Sequence, residues 1–254
     1  MTLYIIGIGL AEAGDITVKG LYAARNSNNV YLDSYTSPLL YPVANLEKKI
    51  GKKIILADRK MVEQEPEETI LKGAKEGNNA FLVVGDALSA TTHIDLMLRT
   101  AKAGIEVEII HNASILTAVA ETGLQLYKFG KTASIPFPEE KSGYLPNTPY
   151  DILKQNKSIE AHTLFLLDLH PQENKFMTIA EAINYLLKVE LTRGERVFIT
   201  DSLCVACSQL GGKNQIIRVG KAKSLAKDSF GKPPFCLIVP AKLHFMEEES
   251  LKRF

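Results

Sequence analysis

Three polar clusters follow short apolar runs, and each could present chemistry at the end of a strand. The sharpest is Gly85-Asp86-Ala87-Leu88-Ser89-Ala90-Thr91-Thr92-His93, directly after the apolar run 80–84. An open α/β sheet offers its ligand-binding groups at such a place. Asp86 can accept hydrogen bonds there from a ribose or an amino group, or it can cap the next helix. His93 can act as an acid or base only if it points toward a ligand, and a structural histidine is the other reading. His111-Asn112-Ala113-Ser114-Ile115 repeats the pattern after the run 105–110. Ser114 can cap a helix and also present its hydroxyl and amide to a ligand.

The third cluster is Gly7-Ile8-Gly9-Leu10-Ala11-Glu12-Ala13-Gly14. Glu12 stands where a dinucleotide fingerprint needs its third glycine, and its charge opposes a pyrophosphate; no P-loop lysine and hydroxyl pair appears either. Three readings stay open. They are a phosphate cradle, a tight turn bringing backbone close to an uncharged or zwitterionic ligand, and turn geometry alone.

Other chemistries find less support. Cys204-x-x-Cys207 has the spacing of half a metal or redox motif, but no second such pair exists. Cys204, Cys207 and Cys236 read as small buried hydrophobes. His162, His170 and His244 show no metal-ligand spacing, so no metal is expected. Lys plus Arg is 30 and Asp plus Glu is 29, and the longest like-charge run, Glu247-Glu248-Glu249, is acidic. Nucleic-acid binding is therefore disfavoured. No membrane-length apolar run is present and no basic region precedes the first apolar residues, so no membrane association and a cytoplasmic location are expected. The 254 residues, 46% apolar and 23% charged, suffice for two domains.

The elements that must position these clusters alternate. Strands are expected over 3–8, 30–33, 54–56, 80–84 and 105–110, the last at a sheet margin because Glu106 and Glu108 alternate with apolar residues. Helices are expected over 16–25, capped by Asp15, over 63–75, and from Thr91 or Thr92 to Ala103. This order signals an α/β domain with a mainly parallel sheet. A helix should begin near Asn112 or Ser114 and end before Gly123, and 132–149, rich in proline, should be an extended crossing. Beyond it, helices are expected over 148–161 and 178–191, the second opened by a Thr-x-x-Glu capping box. Strands are expected over 163–169, 196–201, 215–219 and 235–239, with 215–219 pairing antiparallel. The expected domains are 1–111, carrying the glycine turn and the Gly-Asp strand end, and 112–254.

The three clusters belong to a longer ordered series. It includes Asp15-Ile16-Thr17-Val18-Lys19-Gly20-Leu21, Tyr35-Thr36-Ser37, Thr122 to Gly130, Pro149-Tyr150, Leu166-Leu167-Asp168, Phe230-Gly231-Lys232-Pro233 and Lys242-Leu243-His244-Phe245. Over essentially the whole chain this resembles the diphthine synthase family, in its archaeal form, within the tetrapyrrole-methylase-like superfamily. The resemblance implies a homodimeric enzyme of two α/β domains, with S-adenosyl-L-methionine in the cleft between them and S-adenosyl-L-homocysteine as product. It implies, as protein substrate, translation elongation factor 2 carrying a 3-amino-3-carboxypropyl group on a histidine. That group's amino nitrogen would be methylated three times to give diphthine, in diphthamide biosynthesis; eukaryotic members add a fourth methyl on the carboxylate. A methyltransferase of the same fold acting on a tetrapyrrole or RNA is the alternative, and a catalytically silent cofactor-binding module is a third reading.

Carried over residue by residue, Leu10, Asp86, Ser114 and Ile115 match family cofactor contacts directly. Ser89 falls where relatives often have valine, Leu167 lies in the Leu-Leu-Asp stretch, and Phe235 stands where histidine is common. Leu210 lies in the segment 206–212, which departs most from the family, and Ala87 replaces a frequent proline. The resemblance names no proton acceptor; His93 is a candidate, and bulk water is the other reading.

Overall fold

The computed structural model describes residues 1–139 and 143–254. The chain divides into two compact units, 1–118 with 170–174, and 119–169 with 175–254. The expected division at 111/112 lies a few residues earlier. Residues 112–118 go with the first unit because the Asn112 side-chain amide donates to the Gly7 and Asp15 carbonyls, both at 3.0 Å.

In the first unit β1 (Thr2–Gly7), α1 (Val18–Arg25), β2 (Asn29–Asp33), α2 (Val43–Ile50), β3 (Ile55–Ala57), α3 (Ile70–Glu76), β4 (Asn79–Val83), α4 (Ile94–Lys102), β5 (Glu106–Ile110) and α5 (Ile115–Ala118) follow in order. The sheet runs β3-β2-β4-β1-β5 with every pair parallel, and β5 is an edge strand as its glutamates suggest. Alternate side chains feed two cores. Leu3, Ile5, Tyr31, Phe81 and Val83 join Leu71 and Leu96 on one face, while Ile6, Leu32, Ala80 and Leu82 join Ala24 and Leu46 on the other. Burial on both faces is why these strands read as continuous apolar runs. Each buried Leu, Ile or Phe contributes about 1.5–3 kcal/mol of transfer free energy.

Two helices differ from expectation. The N-cap of α1 is Thr17, whose hydroxyl accepts from Gly20 N. Asp15 turns its carboxylate back onto the amides of Ala11 and Glu12, closing its own loop. The expected helix 63–75 is interrupted at Pro66. A single wide turn at Lys60–Gln64 precedes it, and α3 follows.

The second unit holds β6 (Ala133–Ile135), α6 (Thr148–Ser158), β7 (Thr163–Leu167), the short β8 (Leu169–His170, its His170 counted with the first unit) and β9 (Lys175–Phe176), α7 (Ile179–Arg193), β10 (Leu203–Ser208), β11 (Ile216–Lys221), α8 (Ala222–Leu225), β12 (Phe235–Val239) and α9 (Phe245–Leu251). Its five-stranded sheet runs β11-β10-β12-β7-β6; the β6–β7 pair is parallel and the others are antiparallel. Thr178 and Glu181 form the expected capping box on α7. Tyr150, Leu153, Ile183 and Leu186 cover the sheet face formed by Phe165, Ala206 and Leu237. Within the expected crossing 132–149, residues 140–142 lie outside the described residues.

The expected helix after Ser114 shrinks to the four residues of α5 and a 3₁₀ turn at Val119–Thr122. Residues 196–201 form no strand, because the amides of Arg196 and Phe198 are both spent on the Glu190 carboxylate. The strand lies at β10 and contains Cys204 and Cys207, three positions apart and so on opposite faces. Cys207 is instead registered against Cys236 of β12. All three thiols are free and buried, and burial pushes Cys204 up to about 12.

Candidate functional site

The loops 8–17, 84–93 and 111–114 leave the C-terminal ends of β1, β4 and β5, three adjacent parallel strands. The first two loops are joined by a reciprocal pair of backbone bonds, Gly9 N to Gly85 O at 3.1 Å and Gly85 N to Gly9 O at 2.8 Å. Both glycines have left-handed φ, 79° and 81°, a conformation that costs any side chain. A Cβ on Gly9 would also lie 2.4 Å from the Asp15 Cβ. At Gly85 a Cβ would sit in ordinary van der Waals contact with Ala113 O at 3.8 Å and with Leu10 Cδ2 and Ser114 Cα at 3.9 Å. Leu10, Gly85 and Ser114, from three separate loops, thus lie side by side.

Asp86 holds this arrangement. Its Oδ1 accepts from Leu88 N (3.1 Å) and Ser89 Oγ (2.9 Å), and its Oδ2 from Asn112 N (3.0 Å) and His111 Nδ1 (2.8 Å). Burial alone would raise this carboxyl, but the amides of Asn112 and Leu88, with His111 and Ser89, outweigh it and hold it at about 2. Four bonds use all of the carboxylate's lone-pair sites. Asp86 thereby ties the second loop to the third, and it does not cap the next helix, which begins at Ile94. Ser114 caps α5, its Oγ accepting from Leu116 N, and Ile115 opens that helix.

His93 is elsewhere. It is 1% exposed and packed edge-on against Phe81, with ring centroids 5.0 Å apart. Its Nε2 lies 3.5 Å from Asp33 Oδ2, whose carboxylate also takes the amides of Tyr35 and Thr36. Burial lowers the basicity of His93 against the pull of Asp33. Enclosed in the core of the first unit, it is not placed to take a proton from a substrate, and the expectation of His93 as proton acceptor is corrected accordingly. His111, which the sequence offers only as part of a turn, is the histidine at these strand ends, and its side chain is 70% exposed. Its signal was its place immediately after β5.

In the second unit, Leu167 ends β7 and Phe235 begins β12, one step beyond the Cys236–Leu166 pair. Ser208, the end of β10, is registered against Phe235, and Leu210 follows in a turn held by Gln209 N to Pro234 O. The three candidates thus gather at one end of the second sheet. Leu167 and Leu210 are each 6% exposed, and Phe235 is half-buried. Among the described residues no group of three or more His, Cys, Asp or Glu could hold a metal, and no helix is long and apolar enough to cross a membrane.

Comparison with known proteins places this geometry in a lineage. Residues 2–226 match the family of tetrapyrrole (corrin/porphyrin) methylases. A diphthine synthase of Methanocaldococcus jannaschii is 42% identical, covering 98% of this chain and 97% of the relative. A diphthine methyl ester synthase of Dictyostelium discoideum is 41% identical, covering 100% and 98%. A crystal structure of a diphthine synthase superposes with a TM-score of 0.90 at 36% identity, over 100% of this chain and 96% of that one. The chain belongs to the tetrapyrrole methylase family and, within it, to the diphthine synthases.

Proposed function

We propose that this chain is an S-adenosyl-L-methionine-dependent methyltransferase of diphthamide biosynthesis, acting as a cytoplasmic homodimer. Its substrate is the amino group of the 3-amino-3-carboxypropyl-histidine on translation elongation factor 2. The observation that carries this reading is the convergence of Leu10, Gly85 and Ser114 at the ends of three adjacent parallel strands, on loops that Asp86 helps tie together.

These strand ends suit this cofactor. Loops 8–17, 84–93 and 111–114 contain no lysine or arginine, whereas Asp86, ionised at neutral pH, lies among them. Such a lining favours a ligand without phosphate and with a positive centre. Of the readings open for the glycine turn, it supports backbone approach to an uncharged or zwitterionic ligand. Leu10 and Ile115 would supply apolar contact, the backbone at Gly85 and Ser114 hydrogen bonds, and Ser89 a hydroxyl held by Asp86. Leu167, Leu210 and Phe235 of the second unit are carried over as contacts on family membership.

When bound, the cofactor supplies a methyl group on a sulfonium, already a good electrophile. The protein's work is then to hold a neutral amine about 3–3.5 Å from that carbon, in line, and to keep water out. Asp86 serves the first task by fixing two loops in register, and Leu10 and Ile115 serve the second. Three methyls are proposed on nitrogen, because a quaternary nitrogen has no lone pair left. Whether the carboxylate is also methylated separates the activity named for the Methanocaldococcus relative from that named for the Dictyostelium one.

Mass spectrometry of elongation factor 2 carrying the intermediate, incubated with this protein and S-adenosyl-L-methionine, tests the reading. Three methyl additions on that histidine are expected. No addition, with cofactor binding shown by calorimetry, would leave a methyltransferase fold whose substrate is another molecule, a tetrapyrrole or an RNA being the alternatives within the superfamily.

A further inference from the structure

We propose that His111 is the proton acceptor of the methyl transfer and that Asp86 is its positioning partner, an inference that rests on the function proposed above. The ionised Asp86 carboxylate can only accept, so the 2.8 Å bond to His111 Nδ1 requires the proton to be on Nδ1. The lone pair is then on Nε2. A carboxylate that fixes the tautomer and leaves the far nitrogen basic is the arrangement enzymes use to make a histidine a general base. At 70% exposure the His111 ring is open to an incoming side chain. It stands in the same turn as Ser114, and its partner directly follows Gly85, so the base stands beside the residues assigned to the cofactor.

Among the described residues, the charged group paired with it is Asp86. Asp86 touches it, and the third loop itself has no lysine or arginine. On the first loop Asp15 spends its carboxylate on the amides of Ala11 and Glu12. Buried histidines elsewhere lack what His111 has. His93 is 1% exposed, and His162, 0% exposed, has Nε2 against Glu247 and Nδ1 accepting from Ala241 N.

The step balances as follows. The substrate ammonium gives one proton to His111 Nε2, leaving a neutral amine. The nitrogen lone pair forms the N–C bond as the methyl carbon's bond to sulfur breaks, and that bonding pair stays on sulfur. The imidazolium returns its proton to water before the next cycle. Three cycles remove three protons and add three methyls, and the quaternary product has no proton left to give.

The test uses His111→Ala and His111→Asn in the full-length protein, with elongation factor 2 carrying the intermediate. The asparagine retains a donor to Asp86 but is no base, so it separates holding the turn from taking the proton. Both variants should lose about 100-fold in the transfer rate at neutral pH. S-Adenosyl-L-methionine affinity should stay within about twofold of wild type, as no cofactor contact is removed. Added imidazole, or pH high enough for the ammonium to lose its proton unaided, should restore the rate. Wild-type rate in His111→Asn, or a loss that is equal at every pH and tracks weaker cofactor binding, would overturn the proposal while leaving the function standing. A wild-type protein that binds the cofactor yet moves no methyl to elongation factor 2 would overturn the function, and this inference with it.

Discussion

The two units each contain a carboxylate clasped by a histidine, and the pairs are built alike. In the first, Asp86 takes two backbone amides, the Ser89 hydroxyl and His111. In the second, Glu247 takes the amides of Gln125 and His244, the Lys128 ammonium and His162 Nε2 at 2.9 Å. Burial opposes ionisation in both, and the hydrogen bonds override it to about 2 in both. What differs is the far side of the imidazole. His162 is sealed, its second nitrogen bonded to the Ala241 amide, whereas His111 stands 70% exposed. The same clasp therefore does two jobs. With the ring closed off it pins α9 to the turn before β6; with the ring open it leaves a nitrogen for chemistry.

The largest expected effect tests the sealed pair. Glu247→Ala strands two amides, an imidazole and an ammonium, with Glu247 itself 0% exposed, and should cost about 3–5 kcal/mol in urea unfolding. His111→Ala, by contrast, should change stability by less than about 0.5 kcal/mol, because the lost ring is mostly in water. Comparable losses in both variants would erase the distinction. A smaller effect comes with acid. Glu247 titrates near 4.5 when unfolded and near 2 when folded, so the unfolded chain takes up its proton first as pH falls. Its contribution, about 3 kcal/mol, is complete above pH 4.5 and drains away toward pH 2. Asp86 acts in the same direction from a starting value of 3.8. Glu247→Gln should flatten this acid limb, and a limb of unchanged steepness would assign it to other carboxylates.

Much of the first unit was legible because its strands are buried on both faces and show as apolar runs ending in polar turns. Asp86 and Ser114 stood out for the same reason, each being a polar residue in the turn that follows such a run. The misreadings share another cause, a side chain that spends itself on distant or unexpected backbone. Asp15 closes its own loop instead of capping α1, and Glu190 takes the amides that a strand at 196–201 would need. Glu247 opens an acidic run yet is itself fully buried, while Glu248 and Glu249 beside it are exposed. His111 shows its character only through a partner 25 positions away. His93, nearer to Asp86 in sequence, drew the candidacy that spacing alone could support.

The most direct test of where the cofactor sits is hydrogen–deuterium exchange of the wild-type protein with and without S-adenosyl-L-methionine. The three-loop site predicts slowed exchange in peptides covering 8–17, 84–93 and 111–118, including the amides of Leu10 and Ile115. Protection within the first unit confined to other segments, with these loops unchanged at saturating cofactor, would contradict the account.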